Sequence, residues 1–209
     1  MPAIAKPKIF IVFYSLYGHV YTLAQSIKKG VEKVSEVEVH LFQLKETLDD
    51  KVLAAMHAPP KPNVPVIVPS DLAAADAFLF GIPTRFGNMS EQWKNLWDAT
   101  GQLWIKQALC GKMAGTFFST ASQNGGQEST ALTFITTLAH HGMIYVPFGT
   151  RSSHIFDNSA IVGGSAYGAG TITNGDGSRL PSPHEIDIAE AQGQIFAQNV
   201  AQYYRNHRG

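Results

Sequence analysis

Three short stretches carry residue types able to hold a phosphate and a flat polar ring. Ser15-Leu16-Tyr17-Gly18-His19-Val20 lies between an apolar run, Lys8 to Tyr14, and a run with helical spacing. A strand that stops at a Ser/Gly turn and opens a helix aims several backbone N–H groups, and the positive end of the helix dipole, at one spot. A phosphate dianion can sit there without a lysine, although an ordinary helix cap uses the same residue types. Pro83-Thr84-Arg85-Phe86-Gly87-Asn88 follows a second apolar run and adds a guanidinium and an aromatic wall. Ser119-Thr120-Ala121-Ser122-Gln123-Asn124-Gly125 follows a third and offers small side chains, hydroxyls and exposed amides.

The elements that must position these stretches can be read from periodicity. Ile9 to Tyr14 is a continuous apolar run, as expected of a strand covered on both faces. Val20, Leu23, Ala24, Ile27, Val31 and Val34 then recur every three or four residues, which predicts a helix to about Val34. Val37 to Phe42 alternates as a strand, and a short helix is expected around Leu48 to Met56. The prolines from Pro59 to Pro69 predict an extended loop. Strands are expected at Ala77–Gly81, Met113–Phe118 and Met143–Val146. Between them lie helices from the Ser90 cap through Trp97, with Gly101 ending or interrupting it, and from about Glu128 to His141. Pro147 to Pro181 is Gly-rich and aperiodic and reads as one long loop. Ser182-Pro183-His184-Glu185 is a capping box that opens a last helix.

Five β–α units in alternation predict a single α/β domain over residues 1–209, a doubly wound, five-stranded parallel sheet with helices on both faces. In a flavodoxin-like strand order, 2-1-3-4-5, the three polar stretches share the carboxyl edge of the sheet, where such folds bind ligands. Composition narrows the ligand. Lys+Arg and Asp+Glu number 16 each, so there is no basic excess for nucleic acid or a membrane surface, and no acidic excess for an electron-carrier face. Charged residues make up only 15%, against about 25% in a typical soluble domain, which hints at surface covered in an oligomer. One cysteine, Cys110, allows no internal disulfide or thiolate metal cluster; no metal site is expected, and a reducing, cytoplasmic setting is. The stretch from Met1 to Pro7 is too poor in apolar residues for a leader, and no run is long enough for membrane insertion. There is no Walker lysine motif or dinucleotide fingerprint, no carboxylate after strand one for a phospho-receiver, and no nucleophile elbow around Ser165.

A phosphate tail and a flat ring with polar edges describe flavin mononucleotide, FMN. At this point the motifs carry a resemblance. Ser15-Leu16-Tyr17-Gly18-His19, Pro83 to Ser90, Gly125-Gly126-Gln127-Glu128, Leu138 to Met143, Gly163 to Ala169 and Gly175-Asp176-Gly177-Ser178-Arg179 resemble those of the tryptophan-repressor-binding protein A (WrbA) family over nearly the whole chain. The resemblance implies a flavodoxin-like, FMN-dependent NAD(P)H:quinone oxidoreductase, commonly a homotetramer. It implies a phosphate loop at Ser15–Val20, a ring loop at Thr84–Phe86 and a third loop at Ser119–Asn124. His140 is then expected close to the flavin, and Tyr17, Phe86 and Trp104 in the NAD(P)H and quinone pocket, with Trp104 offered by a neighbouring subunit. The fourth-strand loop is less glycine-rich and one residue longer than the bacterial pattern, nearer to a fungal branch. The implied cycle is ping-pong: NADH or NADPH reduces the flavin, leaves, and a quinone takes two electrons in the same pocket. Arg85 is expected to favour the reduced flavin's negative charge.

Blander readings stand beside these. His140 near a helix C-terminus can simply serve the last carbonyls, and the same reading is preferred for His141. Trp93 and Trp97, four apart on one helix, are expected to pack rather than touch a cofactor. The alternatives for the whole chain are a flavodoxin-type electron shuttle, or a flavin-binding stress or interaction protein with little turnover.

Overall fold

The computed structural model describes residues 5–207; Met1–Ile4, part of the stretch read above for a leader, and Arg208–Gly209 lie outside the described residues. Strand β1 (Lys8–Phe13) leads into helix α1 (His19–Glu32), then β2 (Glu38–Gln43) and the short α2 (Asp50–Ala55). The proline segment ends in a 3-10 turn, Pro69–Ala74, before β3 (Ala77–Pro83), α3 (Glu91–Asp98) and α4 (Gly101–Ile105). Next come β4 (Met113–Thr120), α5 (Gln127–His140), β5 (Ile144–Tyr145), β6 (Gly164–Ser165), β7 (Gly168–Ile172) and α6 (Pro183–His207). The sheet runs β2-β1-β3-β4-β7-β6, with β5 also on β4. Successive residues of a strand point to opposite faces. Ile9, Ile11 and Phe13 therefore pack with Leu23, Ile27, Phe196 and Val200 of α1 and α6. Phe10 and Val12 pack on the other side with Phe80, Trp93 and Phe134, beneath α3 and α5.

The expected order holds through four strands, and the fifth position needs correction. It is shared: β5 pairs in parallel with the start of β4, Met113 opposite Ile144. β7 pairs in parallel with the end of β4, Phe118 opposite Gly170 and Thr120 opposite Ile172. β6 is antiparallel to β7. The sheet thus has seven strands and is not wholly parallel, and Pro147–Pro181 is not a single loop. The sequence hides β7 because it reads Gly-Ala-Gly-Thr-Ile, and glycine is a poor strand former. Crowding explains the choice: a Cβ at Gly168 would stand 1.8 Å from the Thr116 carbonyl oxygen, and one at Gly170 2.2 Å from Gln127 Oε1. β4 also runs on to Thr120, so Ser119 and Thr120 belong to the strand end rather than to a loop. Gly101 does not break a helix; it opens α4 after α3 has closed at Ala99.

The capping box of α6 forms as its sequence requires. The Glu185 amide donates to Ser182 Oγ at 3.3 Å, and the Ser182 amide to Glu185 Oε2 at 2.7 Å. α6 then lies against α1 at backbone contact. A Cβ at Gly30 would meet the Glu190 carbonyl oxygen at 1.9 Å, and one at Gly193 the Ile27 carbonyl oxygen at 2.1 Å.

Candidate cofactor site

Parallel strands β1, β3 and β4 end on one edge, and a cavity of about 730 Å³ opens there. Gly18, with φ +92, ends the turn after β1 and lets α1 start at His19. The first intrahelical bond is Thr22 N to Gly18 O, 2.9 Å, so among the described residues no carbonyl takes the amides of His19, Val20 and Tyr21. Ser15, Leu16, Tyr17, His19 and Val20 line the cavity beside them. Unclaimed amides at a helix start, with no lysine among them, are donors of the kind that can meet the charge of a phosphate group.

A hydrogen-bonded network behind the cradle fixes its backbone. Lys61 Nζ reaches Ser15 O at 3.2 Å and Glu46 Oε2 at 2.5 Å, and lies over the Tyr14 ring. The Tyr14 hydroxyl donates to Glu46 at 2.9 Å and Gln92 Nε2 donates to it at 3.2 Å. Burial would raise the Glu46 carboxyl, but Lys61, the Leu48 and Thr47 amides and Tyr14 outweigh it and hold it at about 2. Burial, followed by Glu46, pushes Tyr14 above its usual range, so it stays a donor.

Pro83, Thr84 and Arg85 form the second wall. Thr84 N bonds Ser119 O at 3.0 Å, and Thr84 Oγ1 meets Thr130 Oγ1 at 2.7 Å. Thr130 donates its proton to Gly126 O, so Thr84 is the donor to Thr130 and the ring loop is pinned to the start of α5. Arg85 and Asn88 exchange backbone bonds of 2.8 and 3.0 Å around Phe86 and Gly87, whose φ angles are +55 and +74. That is a type I′ turn. It holds a phenylalanine in the left-handed region, with its ring fully exposed.

Other expected site residues are distributed unevenly. Ser119, Thr120 and Ala121 line the cavity, whereas Gln123 and Asn124 line a neighbouring one of about 470 Å³, and Ser122 and Gly125 shape the turn between them. Tyr17 stands on the cavity wall, its hydroxyl on Met56 O at 3.1 Å. Phe86, Gly87 and Asn88 form the adjoining turn. Arg85 donates to its neighbour Thr84 O at 2.8 Å and is exposed. Trp104 and His140 are together but elsewhere: Trp104 Nε1 donates to His140 O at 2.9 Å, at the end of α5 next to the start of β4. Eight strand residues separate that edge from the cradle, about 25 Å at the usual rise. Trp93 and Trp97 are buried against Phe80 and Phe134. His141 points inward to Thr100 Oγ1 at 3.0 Å.

The sequence reading missed part of the wall. Met56 and His57 line the cavity, and so do Thr173 to Gly177, which follow β7. Asn174-Gly175-Asp176-Gly177 has the composition of a turn, but nothing in it announces that the hidden strand β7 carries it to the cradle.

The pattern of the family described as NADPH-dependent FMN reductase matches residues 7–157. The chain is 58% identical over 191 residues to "Quinone-oxidoreductase QR2" of Triphysaria versicolor, covering 91% of this chain and 93% of that one. It is 50% identical to "NAD(P)H quinone oxidoreductase PST2" of Candida albicans, covering 95% and 98%. Among solved structures, the flavodoxin-like WrbA-like protein of Agrobacterium tumefaciens superposes with a TM-score of 0.64 at 23% identity, over 94% of this chain and 99% of that one, a likeness of fold. With a family pattern over residues 7–157 and a relative 58% identical over nearly its whole length, the chain belongs to the NADPH-dependent FMN reductase family.

Proposed function

We propose that this chain is an FMN-dependent NAD(P)H:quinone oxidoreductase that reduces quinones by two electrons. The carrying observation is the lysine-free amide cradle opening a cavity of about 730 Å³ beside a ring loop, in a chain 58% identical to a protein named as a quinone oxidoreductase. Bound FMN supplies the hydride and two-electron chemistry. The His19, Val20 and Tyr21 amides and the Ser15 hydroxyl would hold its phosphate, and Thr84, Arg85, Ser119, Thr120 and Ala121 would flank the ring. Arg85 places positive charge where the reduced ring is negative. Tyr17 and Phe86 would be the aromatic walls of the slot that takes the nicotinamide and then the quinone.

The site is completed by a second copy. Phe86 and Leu132 are exposed along α5, and Trp104, 55% exposed, and Ile105 stand at its far end. A two-fold axis through the middle of α5 would carry one copy's Trp104–His140 end onto the other's Phe86 end. The helix length, about 20 Å, matches the separation to be spanned. In that arrangement His140 supplies a hydrogen bond to the quinone oxygen and Trp104 closes the slot. A dimer of such dimers gives the homotetramer, and a single cytoplasmic domain fits the lone cysteine. Among the described residues no helix is long and apolar enough to cross a membrane.

NADH or NADPH oxidation by the FMN-loaded protein, with and without benzoquinone, tests the activity. Fast turnover only with the quinone supports it, and equal rates with and without quinone contradict it.

A further inference from the structure

We infer that the Thr173–Arg179 loop is a clasp over the phosphate end of the cofactor, with His19, Arg179 and Glu185 as its positioning residues. The inference rests on the cavity being the FMN site. The loop closes on itself through Arg179 N to Thr173 O, 3.1 Å, and Ser178 N to Asp176 Oδ1, 3.0 Å. Its near end is tied to the strand beside the cradle by Thr173 N to Thr120 O, 2.9 Å. Its tip is tied to the cradle itself: the His19 ring, 6% exposed, donates from Nε2 to Gly177 O at 3.0 Å. His19 therefore serves twice. Its amide faces the phosphate position, and its side chain holds the opposite wall.

The base of the loop is fixed by an ion pair whose carboxylate is buried. Glu185, 0% exposed, accepts from Arg179 Nη1 at 2.9 Å and also from the Gly163, Ile172 and Ser182 amides and the Thr171 hydroxyl. Arg179 spends its other donors on Ile172 O and, at 2.8 Å, Ile161 O. A planar fork is needed to meet two carbonyls and a carboxylate at once, which lysine cannot do. Apart from Arg179, at the far end of the loop, every group that Glu185 holds lies in β7, at the start of α6, or in the segment feeding β6. The carboxylate thus sets where the loop leaves the sheet. Thr173 to Gly177 have no other anchor to the cradle among the described residues than His19 and Thr120.

The expected consequence is kinetic: the clasp slows FMN release. His19→Phe keeps the ring and removes the donor. One lost hydrogen bond corresponds to about a fivefold faster release, followed by flavin fluorescence, with association little changed. His19→Gln, which can still donate to Gly177 O, should restore slow release. A purely packing role for His19 would not distinguish the two variants. Arg179→Lys should accelerate release as His19→Phe does. Amide exchange over Asn174–Arg179 should slow when FMN binds the wild-type chain and stay fast in His19→Phe. Should His19→Phe fail to fold, Gly177→Ala takes its place. A Cβ there meets only His19 Cε1 at 3.8 Å, so it acts through the strained φ of +75 alone. Release within twofold of wild type in all folded variants overturns the clasp. A wild-type chain that does not bind FMN overturns the assignment of the cavity instead.

Discussion

Phe86→Asn separates what the protomer needs from what the site needs, because the two should change in opposite directions. Phe86 occupies the first central position of a type I′ turn at φ +55, and its ring touches water on all sides. A bulky L-residue in the left-handed region costs about 1–2 kcal/mol, and asparagine recovers part of that. No packing within the protomer is lost on removing the ring, so a gain of about 0.5–1 kcal/mol is expected. For a chain of this length that raises Tm by about 1–4 °C. The same substitution removes an aromatic wall that a substrate ring would cover. Burying a phenyl is worth about 1.5–3 kcal/mol, so kcat/KM for benzoquinone should fall about 10- to 100-fold. Thermal unfolding of the apoprotein over a wide concentration range distinguishes the fold from the assembly, and steady-state kinetics of the FMN-loaded form give the second half. A lower Tm at all concentrations, or an unchanged kcat/KM, would refute the reasoning that this turn is strained for the sake of its exposed ring.

Further outcomes follow from the same structure. Glu46 has its carboxyl at about 2 when folded against 4.5 unfolded, so the stability it contributes is complete above about pH 5 and lost as pH falls toward 2; Lys61→Met should move the acid-unfolding midpoint upward in a circular-dichroism titration. Burial, with His140 adding to it, lowers the His141 imidazole below 6.5, so folding weakens as pH falls below 6.5; His141→Gln, which can still bond Thr100, should flatten that loss of stability. Gly30→Ala puts a methyl 1.9 Å from the Glu190 carbonyl oxygen between α1 and α6, and differential scanning calorimetry should show a loss of about 1–3 kcal/mol or more. Arg85→Ala should lower the flavin's midpoint potential with FMN still bound, because the guanidinium no longer favours the reduced ring; an unchanged potential counts against that role.

The parts of the fold that were legible in the sequence are those with strong period or strong punctuation. β1 and β3 are continuous apolar runs, β4 is apolar up to Phe118 but for Thr116, α1 has an unbroken stripe, and Ser182-Pro183-His184-Glu185 is a cap whose two bonds form as written. β7 was not legible, because its glycines answer to the Thr116 carbonyl and the Gln127 side chain, distant neighbours that no local pattern contains. The same gap hid Thr173 to Gly177, since a loop cannot be assigned to the cradle until the strand before it has been found. Trp104 and His140 show the complementary limit. The resemblance puts His140 beside the flavin and gives Trp104 to a neighbouring copy's pocket, whereas a single protomer sets both together at the opposite edge of the sheet from its own cradle.

The most direct test mixes two variants that are each inactive for opposite reasons. Ser15→Asp places a carboxylate in the cradle and should repel the phosphate; Trp104→Ala with His140→Ala leaves the cradle intact and removes the opposite edge. If copies complete one another's sites across a two-fold axis, mixed pairs hold one whole site. Subunits exchanged at equal amounts should then regain about a quarter of wild-type NAD(P)H:benzoquinone turnover. A mixture as inactive as its parents would contradict a site shared between copies.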